Sequence, residues 1–401
     1  MVNPLPNSND LLSDAYIRHQ VQLLRYSKGL STQLAELLDE KDAELELLLL
    51  HFDNEDRMLE SKSGRRRLEK LQKQIRRIRE KVWEPTNKEL QIQLDELAKV
   101  ETGFISEAVT FASPTIVSTV LPGAAMLNSI TRSRPFEGRL LSEWASKMEA
   151  DDIARIGNQV KLGLVAGETN QQIVRRVFGT AKFSQSDGIK NATRGQIKTI
   201  VRTAVMHVAN NARHEMMLLN QDLFEEEEYI ATLDSRTSKI CASLDHKRFP
   251  VGKGPYPPLH MNCRSIRRAF LNQDDVGERP AKPITEKMLL KQYALENKLT
   301  LGTRDDLPHG QKGIYDKWAR QRIRDSIGPV RGDESYQTWL MRQPNEFQEE
   351  WLGKTKAKLF RDGGLRLDEF VHQNGDEITL AQIAKNNARA FERAGLNPAD
   401  F

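Results

Sequence analysis

The stretch TLDSRTSKICASLDHKRFPVGKGPYPPLHMNCRS, Thr232–Ser265, holds both cysteines of a 401-residue chain and two of its eight histidines. EEEEYIATLD (225–234) leads into it as a strand, and NCRSIRRAF (262–270) leads out as another. FPVGKGPYPP (249–258) is a Gly/Pro-rich insert between them. A strand-loop-strand knuckle inside a helical pattern predicts a mainly α protein with a small β element, of α+β class.

Working outward, TRGQIKTIVRTAVMHVANNARHEMMLLNQDL (193–223) is a long amphipathic helix with Ile197, Val201, Ala204, Val205, Val208 and Ala212 on its inner stripe. Before it, residues 139–167 predict a helix pair closing at Gly167. ETNQQIVRRVFG (168–179) follows with a Thr169/Gln172 capping box and a stop at Gly179. Such a turn between helices resembles a helix-turn-helix, but most pairs of this kind only pack together. Farther upstream, Leu68, Leu71, Ile75, Ile78 and Val82 are spaced by three and four, as a helical seam requires. Pro85 is expected to stop that helix and TNKE (86–89) to cap the next, with Leu90, Leu94 and Leu97 inside. Ile17, Val21 and Leu24, then Leu34, Leu37 and Leu38, predict an earlier helix of the same hairpin or bundle. Residues 272–283 read as a linker. Helices are expected near 285–298, 335–342, 345–352 and from 379 to Gly395, with Trp339, Phe347 and Trp351 as their core. The resulting division is a helical arm (1–137), a central domain (138–272), and a linker with a C-terminal helical unit (273–401).

At 38% hydrophobic and 29% charged, with few aromatics, the composition favours helical, extended surfaces over a core-heavy enzyme. Net charge is only +4, but the charge is segregated. Residues 61–81 are strongly basic, whereas 39–56 and the Glu225–Glu228 run are acidic. Arg65, Arg66, Arg67, Arg76 and Arg77 are candidates for contact with DNA or an acidic partner; the alternative is a solvated helical face. Two cysteines are too few for a disulfide framework, which fits a reducing compartment. The N-terminus lacks the pattern of a signal peptide. The uncharged run 108–131 contains Pro114, Pro122 and Gly123, making it a poor bilayer span. It is expected to be packed or covered by a partner, the alternative being contact with a membrane or pore.

Cys241, His260 and Cys263 are ligands of the type Zn²⁺ takes, and His246 or Asp234 would be the fourth. A metal-free polar knot of Asp234, Arg236, Thr237 and Arg264 around two buried cysteines is the competing reading. A zinc deaminase would need an HxE step and PCxxC, and neither is present. Asp234 could orient a Cys/His nucleophile pair, but no oxyanion hole is evident, and phosphate-loop, dinucleotide and HExxH motifs are missing.

Taken together, Asp234, Arg236, Thr237, Cys241, Leu244, Asp245, Phe249, Pro250, Val251, Gly252, Pro257, Pro258, His260, Cys263 and Arg264 resemble the signature of phage Mu F-like minor head proteins. Arg202, Thr203 and Asn210 match the helix that precedes that signature, and the likeness spans about 140–270. His246 stands where the family often has glycine. Residues 335–370 look like the tail that accompanies the domain in prophage copies. The resemblance implies a low-copy virion protein, made in the host cytoplasm, working in several copies at the portal vertex against portal protein and inner capsid. Packaged double-stranded DNA is a further expected contact. The rival expectation is a zinc-stabilised, nuclease-like DNA-processing enzyme acting during packaging or injection.

Overall fold

The computed structural model describes residues 8–54, 60–113, 118–183, 185–270, 278–308 and 310–401. Its spine is one helix, α3 (Lys62–Ala112), of 51 residues. Ser61 caps its start by accepting from the Gly64 amide at 2.9 Å. Pro85 does not end it, contrary to the sequence expectation. Val82, Trp83, Thr86, Leu90 and Leu94 are buried on both sides of the proline, so packing along the whole inner face outweighs one missing backbone bond. Thr86 is no N-cap, since its hydroxyl donates back to the Val82 carbonyl at 2.6 Å. Pro85 itself is exposed. Pro85→Ala is therefore expected to raise stability by about 1–3 kcal/mol, because alanine restores the bond at no packing cost. Urea unfolding checks this, and a destabilised variant would contradict it.

Helix α1 (Ser8–Asp39) lies along α3, and α2 (Asp42–Leu50) follows it. The buried stripe of α1 is Leu12, Tyr16, Leu23, Ser27, Leu30, Leu34 and Leu38, while Val21 is 41% exposed. Ile17 and Leu24 are only half-buried, so the inner face of these turns is rotated from the stripe that the apolar spacing predicts. Half-buried His19 and Gln20 belong to the inner side, and counting apolar residues alone passes over them. Helix α4 (Ala124–Ser133) precedes α5 (Leu141–Val165), which is a single helix and not the expected pair. Helix α6 (Asn170–Phe178) carries the expected capping box and ends at Gly179. It packs on α5 closely enough that a Cβ on Gly163 would meet Ile173 at 2.6 Å. This pair buries Ile156, Val160, Ile173, Val174 and Val177 with Leu71 and Ile75 of α3.

Helix α7 (Lys190–Leu219) is the central rod. One apolar cluster joins Leu23, Leu30 and Leu34 of α1, Trp83 and Leu94 of α3, Met148 of α5 and Val201, Val205 and Val208 of α7. The N-terminal helices and the helix before the knuckle thus share a core. A second cluster brings Tyr16, Ile105 and Met216 onto Ile266 and Ala269 of the knuckle.

The β element is two three-stranded sheets. Strand β1 (Glu226–Ile230) is central in the first, antiparallel to β3 (Arg248–Pro250) and β4 (Ile266–Phe270). The second holds β2 (Leu233–Asp234), parallel to β5 (Glu278–Lys282), which is antiparallel to β6 (Gly328–Arg331). A short helix, α8 (Lys239–Leu244), lies between β2 and β3, ahead of the insert, and was not expected.

The C-terminal unit contains α9 (Glu286–Glu296), α10 (Gln311–Ser326), α11 (Tyr336–Met341), α12 (Asn345–Leu352), α13 (Lys354–Arg361), α14 (Leu380–Asn386) and α15 (Ala388–Arg393). Trp339, Phe347 and Trp351 are buried in its core as expected, and Leu233 and Ala242 of the knuckle join them. The sequence reading missed α10 and α13 and ran α14 and α15 together. Pro114 and the first half of the expected linker lie outside the described residues. No described helix is long and apolar enough to cross a membrane.

Candidate metal centre and polar knot

Cys241 enters the site on α8, whose start is fixed by Ser238; the Ser238 Oγ accepts from the Cys241 amide at 3.4 Å. His260 and Cys263 come from the far end of the insert, where the Cys263 amide closes a turn on the His260 carbonyl at 3.1 Å. Asn262, between them, is held by α7. Its amide donates to Thr203 Oγ1 at 2.9 Å, and its side chain accepts from Arg202 at 3.2 Å. The Arg-Thr pair of the preceding helix is therefore a grip on the His260–Cys263 turn.

The Cys241 and Cys263 sulfurs are 3.7 Å apart, and Cys241 Sγ is 3.3 Å from His260 Nε2. Zinc–sulfur bonds of about 2.3 Å at a tetrahedral angle would place two sulfurs about 3.8 Å apart. His260 Nδ1 donates to the Met261 carbonyl at 2.9 Å, which leaves Nε2 as the lone-pair nitrogen a metal needs. The donor set and its spacing fit Zn²⁺. Both sulfurs are buried, at 1% and 0% exposure. Buried Tyr229 donates its hydroxyl to Cys241 Sγ at 3.2 Å, and Ser238 Oγ is 2.8 Å from Nε2.

The contact with Cys263, then that with His260, holds the Cys241 thiol well below its ordinary range. Its sulfur pushes Cys263 well up. Burial alone would lower His260, but the Cys241 sulfur outweighs it and the imidazole is raised. The mutual contact of the two sulfurs thus pushes their thiols in opposite directions.

Neither residue expected as fourth ligand is placed for that role. Among the described residues the cluster of possible ligands is Cys241, His260 and Cys263 alone. His246 is turned away, with Nδ1 at 2.9 Å from Glu228 and Nε2 at 2.6 Å from Arg279. Its φ of 62° is the left-handed backbone that explains why glycine suits this position. Asp234 is taken by Arg264, which donates to its two oxygens at 2.7 Å each. The candidate metal ligands and the polar knot are thus neighbouring features. Thr237 Oγ1 donates to the Thr232 carbonyl and lies 3.3 Å from Asp234. The Arg236 amide caps Asp234 at 3.0 Å, but its side chain is 68% exposed.

Sequence reasoning missed how the C-terminal unit closes this knot. Tyr336 donates its hydroxyl to the Asp234 carbonyl at 2.8 Å, and Trp351 Nε1 donates to the Thr237 carbonyl at 3.1 Å. Buried Asp245 accepts from Arg279, from the Ala231 amide and from the Tyr336 amide. Only the Leu-Asp step of the signature pointed to Asp245. Contacts within the protein itself also hold the insert. Buried Arg267 pairs with Glu227 at 2.9 Å and donates to the Pro255 and Lys253 carbonyls. Gly254 (φ 78°) lies against Phe249, and a Cβ there would strike the ring at 2.3 Å.

Burial by itself would raise the Asp234 carboxyl, but the Arg264 hydrogen bonds and charge hold it down at about 2 against an ordinary 3.8. The folded value is the lower one, so its stabilisation is complete above about pH 4 and is lost as pH falls towards 2. The amount is about 2 kcal/mol. Urea unfolding from pH 5 to 2 should show Asp234→Asn losing less over that window than the parent chain. Parallel curves would remove this role.

The arginine stripe lies elsewhere, on the first half of α3. Arg66 and Arg77 are exposed, Arg76 is 3.8 Å from Glu80, Arg67 pairs with Asp53, and Arg65 donates to the Glu60 carbonyl. The sequence did not single out Arg79 within the same run, although that residue is fully buried on Asp152.

No curated protein and no solved structure matches the chain. The model of the family described as Phage Mu protein F like protein matches residues 154–267, from within α5 to the start of β4. It covers the α7 grip, both cysteines and His260, so this central segment is similar to the Phage Mu protein F like family.

Proposed function

We propose that the protein is a structural component of a tailed-phage head, acting in assembly at the portal vertex, with the knuckle as a rigid zinc-clasped mount. The single observation that carries this reading is that the family match coincides with the clasp and its α7 grip. Bound zinc would supply a cross-link between α8 and the chelating turn, held by Cys241, Cys263 and His260. The polar knot then couples that turn to the C-terminal unit. The exposed arginines of α3 are the surface offered to packaged DNA or an acidic portal or capsid face.

The DNA-processing reading puts the same trio to work as a reaction centre. Burial of both sulfurs speaks for the mount, because a phosphodiester would have to reach donors that are closed to solvent. The test is a phage lacking this gene, which should yield defective heads. The parental chain should restore infectious particles. A chain with Arg65, Arg66, Arg67, Arg76 and Arg77 changed to Glu should not. Normal particles in normal yield without the gene would overturn the proposal.

A further inference from the structure

Asp234 is surrounded by more positive charge than it can neutralise. Arg264 takes both its oxygens, leaving Arg236 3.7 Å away and Lys282 as its register partner across β2 and β5. Lys282 is half-buried, and among the described residues no hydrogen bond or ion pair engages its ammonium. Burial, and then the charges of Arg236 and Arg264, push its ammonium below the ordinary lysine range despite Asp234. Arg202 is lowered in the same way, first by burial and then by the same two guanidiniums. A half-buried cation without an acceptor is costly, and an arriving oxyanion would remove that cost.

Arg236 and Lys282 both line a cleft of about 360 Å³ against α9 and α10. Exposed Arg320 lines it as well, and Ile284, Leu289 and Ile323 form an apolar wall. Its two carboxylates do not balance the charge. Asp316 is spent on Arg304, at 2.9 and 2.6 Å, which leaves exposed Glu286 as the one carboxylate of the lining set against Arg236, Lys282 and Arg320. The volume is in the range of small-ligand sites, far from a groove sized for a protein segment.

We propose that this cleft is a phosphate site, in which Arg236, Lys282 and Arg320 receive the oxyanion and the apolar wall takes the uncharged part of the ligand. Two guanidiniums, each with a planar fork of donors, and one ammonium lining the same cleft suit phosphate better than a single carboxylate. The site is separate from the arginine stripe of α3 and does not depend on the head-protein reading.

The full-length chain should bind inorganic pyrophosphate by calorimetry, a 20-base-pair duplex by fluorescence anisotropy, or both. Lys282→Met and Arg236→Ala should each weaken the bound probe at least tenfold, whereas Arg66→Glu/Arg77→Glu on α3 should leave pyrophosphate binding unchanged. Weakened duplex binding identifies the phosphate as that of nucleic acid; weakened pyrophosphate binding alone identifies a free phosphate ligand. Arg236 is exposed, so its variant tests the site even if Lys282→Met fails to fold. Absence of binding of both probes to the parent chain, or parental affinity in the Arg236 variant, overturns the proposal.

Discussion

Cys263→Ser protein is expected to contain almost no zinc, where the parent holds about one per chain, and to lose stability on the order of 5 kcal/mol. Small zinc modules draw on the order of 10 kcal/mol from the metal. Here the turn is also gripped by Arg202 and Thr203, so only part of that is at stake. Serine keeps the shape but offers an oxygen that stays protonated, which zinc does not take in place of a thiolate. His260→Ala should behave alike. Without a metal the outcome differs: a serine hydroxyl at a fully buried position costs about 1–3 kcal/mol, and a chelator does nothing to the parent. Elemental analysis with urea unfolding, with and without chelator, separates the two. A parent chain free of zinc and indifferent to chelation would sink the clasp.

The second large effect lies far from the knuckle. Arg79→Met should cost about 3–5 kcal/mol, because it strands a buried carboxylate. Arg79 Nε donates to Asp152 at 2.7 Å, and its Nη1 reaches the Leu38 carbonyl at 2.9 Å. Trp83 and Thr193 donate to the same Asp152, at 2.9 and 2.8 Å. One ion pair thereby ties α1, α3, α5 and α7 at a single buried point. Arg79→Met/Asp152→Asn should recover part of the loss, since no orphan charge remains and the amide oxygen can still accept from Trp83 or Thr193. Urea unfolding of both single variants and the double measures the coupling. A cost below about 1 kcal/mol for Arg79→Met would mean the pair holds nothing.

The α+β class, the α7 stripe, the α6 capping box and the aromatic C-terminal core could all be read from spacing, because each is a local pattern repeated over several residues. The Pro85 stop failed for a converse reason. A proline is a local veto, and it was outvoted by buried side chains on both sides of it. The face of α1 was misread because His19 turns inward to Glu101, and that carboxylate lies 82 residues away. Nothing near His19 in the sequence announces it. Helix α8 is too short for a periodic signal, although Ser238 marks its start.

By itself the sequence determined which atoms could form the clasp: two thiols and an imidazole, collected in one window with a signature that resembles Mu F-like proteins. Only the tertiary structure decided their company. It sent His246 to Glu228 and Asp234 to Arg264, and it set Thr203 and Tyr229 against the site. It also buried Arg79 while leaving Arg66 and Arg77 in solvent. The physical reason is range. Chemical identity and helical period are local properties of the chain, whereas the partner of a buried charge is whatever packing carries to within about 3 Å, and that depends on elements remote in sequence.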